Sequence, residues 1–351
     1  MGIENKNRIV SFDLLKIVSI FAVFMHHILM DVYIVHPMYN LKWLSDIMIR
    51  PNTNFAMLAC CAFIMISGAT LTINKRDESL ISFYKRRITK LLVPFYFAYM
   101  CALVIRIVNA RSFNIFNDIP VLRFIFTILG MDEYLSANGI RTFTLGVGEW
   151  FLGCIILCYL CYPLLYYFHK KNKWVTFIVM TIYFVIINYI YYKLPFIIPS
   201  YMNFICQIYN FYLGIFIIDN EILDKLNKKV LVFTIPIILI FFMSKVSFTM
   251  PDNFKASIVV ISLLFSFFVF ESGIMKSKLL INFCKFFNRI SLEFFLVHHF
   301  IIYQVNFLLA YKKLRGYEML IVIIFDLWMT IILSFIINYL SRKVKSSMNY
   351  S

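Results

Sequence analysis

The stretch "FAMLACCAFIMISGATLTI", residues 55–73, contains no charged side chain, and it is one of ten apolar windows in a chain of 351 residues. A run of that length is what a helix needs to cross a hydrocarbon core about 30 Å thick. Lipid offers no partners to backbone N–H and C=O groups, so a spanning segment must be a helix or part of a closed barrel. These runs are far longer than barrel strands. The predicted fold class is therefore all-α: a polytopic integral membrane protein of about ten transmembrane helices. The windows are residues 12–35, 55–73, 90–108, 150–168, 175–192, 196–218, 230–244, 256–272, 290–310 and 318–340.

Charge orients these spans. The net charge of +16 comes from basic residues in short loops between apolar runs, which reads as topology and excludes a nucleic-acid partner. With the N-terminus inside, inner segments carry 21 Lys and Arg and outer loops carry 11, which predicts both termini in the cytoplasm. The first span has no cleavage signature and is expected to be kept. One loop is long, residues 109–149 on the outer side, and its "VLRFIFTILGM" is too short to span, so it lies at the interface or re-enters. A short cytoplasmic tail, 341–351, closes a single membrane domain, 1–351. The eight cysteines sit mainly inside the windows as small apolar residues, without metal-ligand spacing, so no metal is expected.

Ionisable groups inside a span are costly and usually mark a site. The first span, "SFDLLKIVSIFAVFMHH", holds Asp13, Lys16, His26 and His27. At 100° per residue, Lys16 and His27 fall within about 20° of one line and Asp13 about 40° from it, while His26 points about 100° away. The helical rise sets Lys16 and His27 roughly 16 Å apart along the axis, a cation near the inner end and a titratable imidazole in the outer half. Histidine suits general-base work because its pKa lies near working pH. Alternatively, Lys16 snorkels to the headgroups and His27 bonds a neighbouring helix.

Three further stretches carry chemistry. "FYKRRITKLLVPFY", 83–96, packs Lys85, Arg86, Arg87 and Lys90 at the inner face, a cluster that suits phosphate groups or anionic membrane lipid. "GEWFLGCIILCYLCYPLL", 148–165, sets Glu149 and Trp150 where the long loop enters a span, and Glu149 can orient an imidazole or hydrogen-bond a sugar. "RISLEFFLVHHFIIY", 289–303, places Glu293, His298 and His299 in one span.

These residues resemble the membrane-bound acyltransferase-3 family, polytopic enzymes that O-acylate cell-surface carbohydrates. That family opens with a "SLDLLR" type sequence and an arginine separated by ten residues from a histidine; here "SFDLLK" is followed by ten residues and His27. Lysine stands in place of the arginine, keeping the charge and losing the bidentate fork. Arg87 and Lys90 ahead of "LLVP" are similar to the family's Arg-x-x-Arg before a proline, again with lysine second. "WFL", "YLCYP" and "ISLEFFLVHH" are similar to its middle and late signatures.

The resemblance runs from residue 8 to about 303. It implies transfer of an acyl group, usually acetyl, from cytoplasmic acetyl-CoA to a hydroxyl of a surface or lipid-linked glycan, in the plasma membrane of a bacterium, with glycan-assembly proteins as possible company. On that reading Lys16, Arg86, Arg87 and Lys90 hold the CoA phosphates and His27 takes the hydroxyl proton, with Asp13 or Glu149 tuning charge and His298 beside them. A covalent acyl-histidine relay stays open. The rival readings are a transporter or flippase for a lipid-linked glycan, which predicts paired broken helices, and a sensor whose histidines tolerate replacement.

Overall fold

The computed structural model describes residues 9–30, 42–116, 119–271, 277–309 and 316–347; the N-terminal arm 1–8, the end of the first window and residues 348–351 of the tail lie outside them. Fifteen elements follow in order: α1 (Val10–Ile28), α2 (Lys42–Met48), a ribbon of β1 (Ile49–Arg50) and β2 (Thr53–Asn54), then α3 (Phe55–Ile73), α4 (Leu80–Ala110), α5 (Phe124–Ile128), α6 (Asp132–Ala137), α7 (Glu149–Lys171), α8 (Lys173–Ile190), α9 (Phe204–Asp219), α10 (Leu231–Met243), α11 (Asp252–Glu271), α12 (Lys278–Leu308) and α13 (Gly316–Ser347). Each of the ten windows contains an α-helix among the described residues, with that of 196–218 starting only at Phe204, and eight helices among the described residues are long and apolar enough to cross a membrane. The protein is an all-α membrane protein. α9 and α10, of 16 and 13 residues, are the short ones, about 24 and 20 Å long.

Caps explain where helix ends depart from the windows. Asn54 accepts from the amides of Ala56 and Met57, so α3 starts where its apolar run starts. Ser79 accepts from Ser82, which begins α4 ten residues before its window and draws the whole basic cluster into the first turns of the helix. The β1–β2 ribbon, paired antiparallel with Ile49 opposite Asn54, is too short to leave an alternating pattern.

The chain divides into two compact units, each made of three separate segments. The first comprises Met1–Val23, Asp46–Asp77 and Leu160–Asn288. Its centre is the crossing of α3 and α9. A Cβ built on Gly68 would stand 2.0 Å from the Phe211 carbonyl oxygen, and one on Gly214 would stand 1.9 Å from that of Met65. Only glycine permits such a backbone approach, and between lipid-embedded helices close packing replaces the absent hydrophobic drive. Met65, Ala69, Leu213, Ile217, Val260 and Leu264 fill the surrounding core.

A chain of buried amides joins α8, α9 and α11. Asn253 donates to Asn188 at 2.7 Å, Gln207 to Asn253 at 3.0 Å, Asn210 to Gln207 at 2.9 Å and Ser257 to Asn210 at 2.6 Å. Each group spends its polarity on a neighbour, so the network holds helices together rather than offering a site. The amides of Val10 and Ser11 donate to the two carboxylate oxygens of Glu271 at 2.8 Å, fixing the start of α1 with an acidic partner at the positive end of its dipole.

The second unit comprises Phe24–Ser45, Glu78–Tyr159 and Arg289–Ser351. Here α12 and α13 are joined where Asn338 donates to Glu293 and to the Arg289 carbonyl, both at 2.9 Å, which gives Glu293 a structural task. The long segment 109–149 is folded rather than loose. Thr142 donates to the Asp132 carbonyl at 2.7 Å, Tyr99 to the Phe143 carbonyl at 3.1 Å, and Glu133 accepts from the amides of Leu145 and Gly146 at 3.0 and 2.7 Å. Its apolar stretch is short helix with Val121 and Leu122 more than four-fifths exposed. Those ties deliver Glu149 at the first position of α7.

Candidate active site

The end of α1, the start of α7 and the later half of α12 bring three side chains of the second unit together: His27, Glu149 and His299. Each has a ligand-type atom within 4.8 Å of those of the other two. His299 donates its Nδ1–H to the Glu149 carboxylate in a close contact, with the two side chains 24% and 17% exposed. The imidazoles of His27 and His299 lie 4.1 Å apart between ring centroids, tilted 31°. Donation from Nδ1 makes Nε2 the accepting nitrogen of a neutral His299, and the carboxylate is near enough to balance a positive charge on either ring.

The backbone at Glu149 is itself unusual. Its φ is +49°, a left-handed conformation on a residue with a Cβ, at the entry to a helix. Such a conformation costs on the order of 1–3 kcal/mol and persists where the surroundings over-determine it, often at functional sites.

His298 faces differently. It is 1% exposed, donates Nδ1–H to the Phe295 carbonyl at 2.8 Å and meets the His27 ring edge-on at 5.0 Å. The sequence singled out His298, whereas the residue bonded to Glu149 is its neighbour His299. Two adjacent helical residues point about 100° apart, so the "HH" pair could hold only one at the centre, and no motif spacing said which. His26 packs edge-on against His27, with centroids 5.8 Å apart. Asp13 and Lys16, both half-buried, belong to the segment of α1 in the first unit. Asp13 is separated from His27 by about 21 Å of helix, so it is not part of the cluster.

The basic cluster lies at the opposite end of α4. Arg86 is ion-paired with Glu78. Arg87 is 7% exposed with its guanidinium 6.0 Å from the Phe83 ring centroid, and Lys90 is exposed. Of the expected phosphate contacts, Arg86 is therefore already engaged by a carboxylate.

A cavity of about 360 Å³ adjoins the cluster, lined by Arg106, Asn109, Glu133, Thr144, Tyr303 and Gln304 among others, and by His299 itself. Glu133, which the sequence did not mark, sits in the long segment; burial pushes its carboxyl above the usual range, offset in part by the amides it accepts and by His299. No pattern announces such a residue, because its position depends on the path of an irregular chain. Two imidazoles and a carboxylate could also hold a divalent cation, so the donor set fits a metal as well as a base, although the cysteine spacing suggested none.

No curated protein and no solved structure matches this chain. A family model described as an acyltransferase domain matches residues 9–339, which takes in both units and all three clustered side chains. Helices of membrane-crossing length, a histidine–carboxylate cluster beside a polar cavity and that match lead to one conclusion: the chain belongs to the acyltransferase-3 family and is a multi-pass membrane acyltransferase.

Proposed function

We propose that this acyltransferase moves an acetyl group from cytoplasmic acetyl-CoA to a hydroxyl of an extracytoplasmic surface glycan, at the plasma membrane of a bacterium. The observation that carries the reading is the cluster of His27, Glu149 and His299 opening onto a polar cavity. A sugar hydroxyl in that cavity would meet a base on one side and the thioester carbonyl on the other. His27 takes the proton as the oxygen attacks; the C–O bond forms, the C–S bond breaks, and the proton passes to the departing thiolate. Glu149, held by His299, stabilises the imidazolium that exists between those events.

The donor end rests on the start of α4. With Arg86 engaged by Glu78, Arg87 and Lys90 are the residues proposed to meet the CoA phosphates. Lys16, on α1, is the remaining cation that the family resemblance implies for the donor.

The test compares wild type with His27→Ala at matched protein level, measuring acetate released from surface glycan by mild base. Loss of about 100-fold or more is expected for removal of a general base. Equal acetate from both would sink the assignment.

A further inference from the structure

The cavity beside His299 contains one feature that acyl transfer to a neutral hydroxyl does not require. Arg106 lines it from α4, within a stretch otherwise apolar, and among the described residues no carboxylate pairs with it. Arg106 is exposed, four residues before the end of the 31-residue α4, so its guanidinium is accessible to a ligand in the cavity. The carboxylate among the residues lining the cavity, Glu133, is committed to the amides of Leu145 and Gly146. Burial also raises the Glu133 carboxyl above its usual range, which reduces the negative charge it offers Arg106.

The rest of the wall mixes apolar side chains with several polar groups. Asn109 stands one turn beyond Arg106 on α4 and donates to Gln304 of α12 at 2.7 Å. Tyr303, one turn beyond His299, adds a phenol, and Thr144 adds a hydroxyl from the long segment. His299 and Gln304 are five residues apart, about 7.5 Å along α12, so the cavity extends from the reacting cluster to the Asn109–Gln304 amides, with Arg106 one turn from Asn109 on its wall. Its volume of about 360 Å³ falls in the range of small-molecule sites, with these polar groups set among the apolar Ala102, Ile105, Leu145 and Phe300.

We infer that this cavity is the acceptor site and that Arg106 selects a glycan unit carrying an acidic group, a carboxylate or a phosphodiester, next to the hydroxyl that is acylated. Guanidinium binds either anion through paired hydrogen bonds, and a cation on the cavity wall sets which hydroxyl of a bound acidic unit reaches the cluster. The inference rests on the proposed transfer to a glycan and adds the charge of the substrate to it.

The experiment uses the full chain in lipid nanodiscs with acetyl-CoA and four acceptors: a uronic-acid oligosaccharide, the same oligosaccharide after carboxyl reduction, a phosphodiester-linked sugar oligomer and a neutral oligosaccharide. Acetyl transfer is followed by mass spectrometry. The expected result is a kcat/KM about tenfold or more higher for an acidic acceptor than for its neutral counterpart, falling steeply with salt. The two acidic arms separate carboxylate from phosphodiester. Arg106→Gln should bring the acidic-to-neutral ratio close to one, chiefly through KM, and Arg106→Lys should restore part of it. Equal use of acidic and neutral acceptors by wild type, or an Arg106→Gln enzyme that keeps the preference, overturns the inference and leaves glycan acylation standing. Acetylation of none of the four by the wild type overturns both.

Discussion

Replacing Glu149 by glutamine keeps the size and hydrogen-bonding shape of the side chain and removes its charge. The clustered atoms lie within 4.8 Å of one another, and at that separation a carboxylate stabilises an imidazolium by about 3.5 kcal/mol with an effective dielectric near 20. At about 1.4 kcal/mol per decade this corresponds to a fall in kcat of roughly 300-fold, with little change in the KM for acetyl-CoA. Detergent-solubilised enzyme, acetyl-CoA and a thiol-trapping reagent give the rate. A companion variant separates chemistry from folding. Glu149→Gly removes the same charge and also relieves a left-handed φ of +49°, so its unfolding midpoint should equal or exceed that of wild type while activity stays lost. Glu149→Gln activity within about threefold of wild type would refute the charge-balance reasoning, because the Coulomb term then contributes less than 1 kcal/mol.

Three more outcomes can be checked. Gly68→Ala or Gly214→Ala sets a Cβ against a backbone carbonyl that cannot step aside, so either should cost about 3 kcal/mol or more and appear as lost folded protein in a detergent-stability assay. Asp132, 3% exposed and pushed up to about 6 by burial, favours the folded state in its protonated form; its contribution is greatest near pH 4, falls by roughly 3 kcal/mol as pH rises to about 6, and is constant above that. Asp132→Asn should therefore raise the unfolding midpoint at pH 7 and flatten its change between pH 4 and 7. Prolonged dialysis against a chelator should leave acetyl transfer intact if His27 acts as a base; loss restored by one divalent metal would instead assign the His27, Glu149 and His299 set to an ion.

What could be read in advance follows from where information is local. The α3 window was legible to the residue because its apolar run and its Asn54 cap coincide. α4 was not, since hydropathy ignores a basic first turn that a serine cap makes helical. His27 could be picked over His26 from its phase with Lys16, a relation within one helix. Choosing His299 over His298 needed the rotation of α12 against α7, which no spacing within either helix carries. Glu149 was visible as a carboxylate at a span entrance, but its partner was not. Glu133 and the Arg106 cavity arise from a segment whose path is fixed by isolated hydrogen bonds, and a single sequence leaves no period for those.

The glycine crossing in the first unit also bears on how the chain is made. Gly68 and Gly214 each lie against the backbone of the other helix, yet the whole of residues 74–203 is synthesised between α3 and α9. During translation α3 must wait in the bilayer with its small-residue face against lipid or an insertion factor, while α4, α7 and α8 are laid down. The first unit cannot close until its later helix arrives. An arrest peptide that senses pulling force should record this as a late event, appearing when α9 leaves the ribosome and disappearing when either glycine carries a side chain.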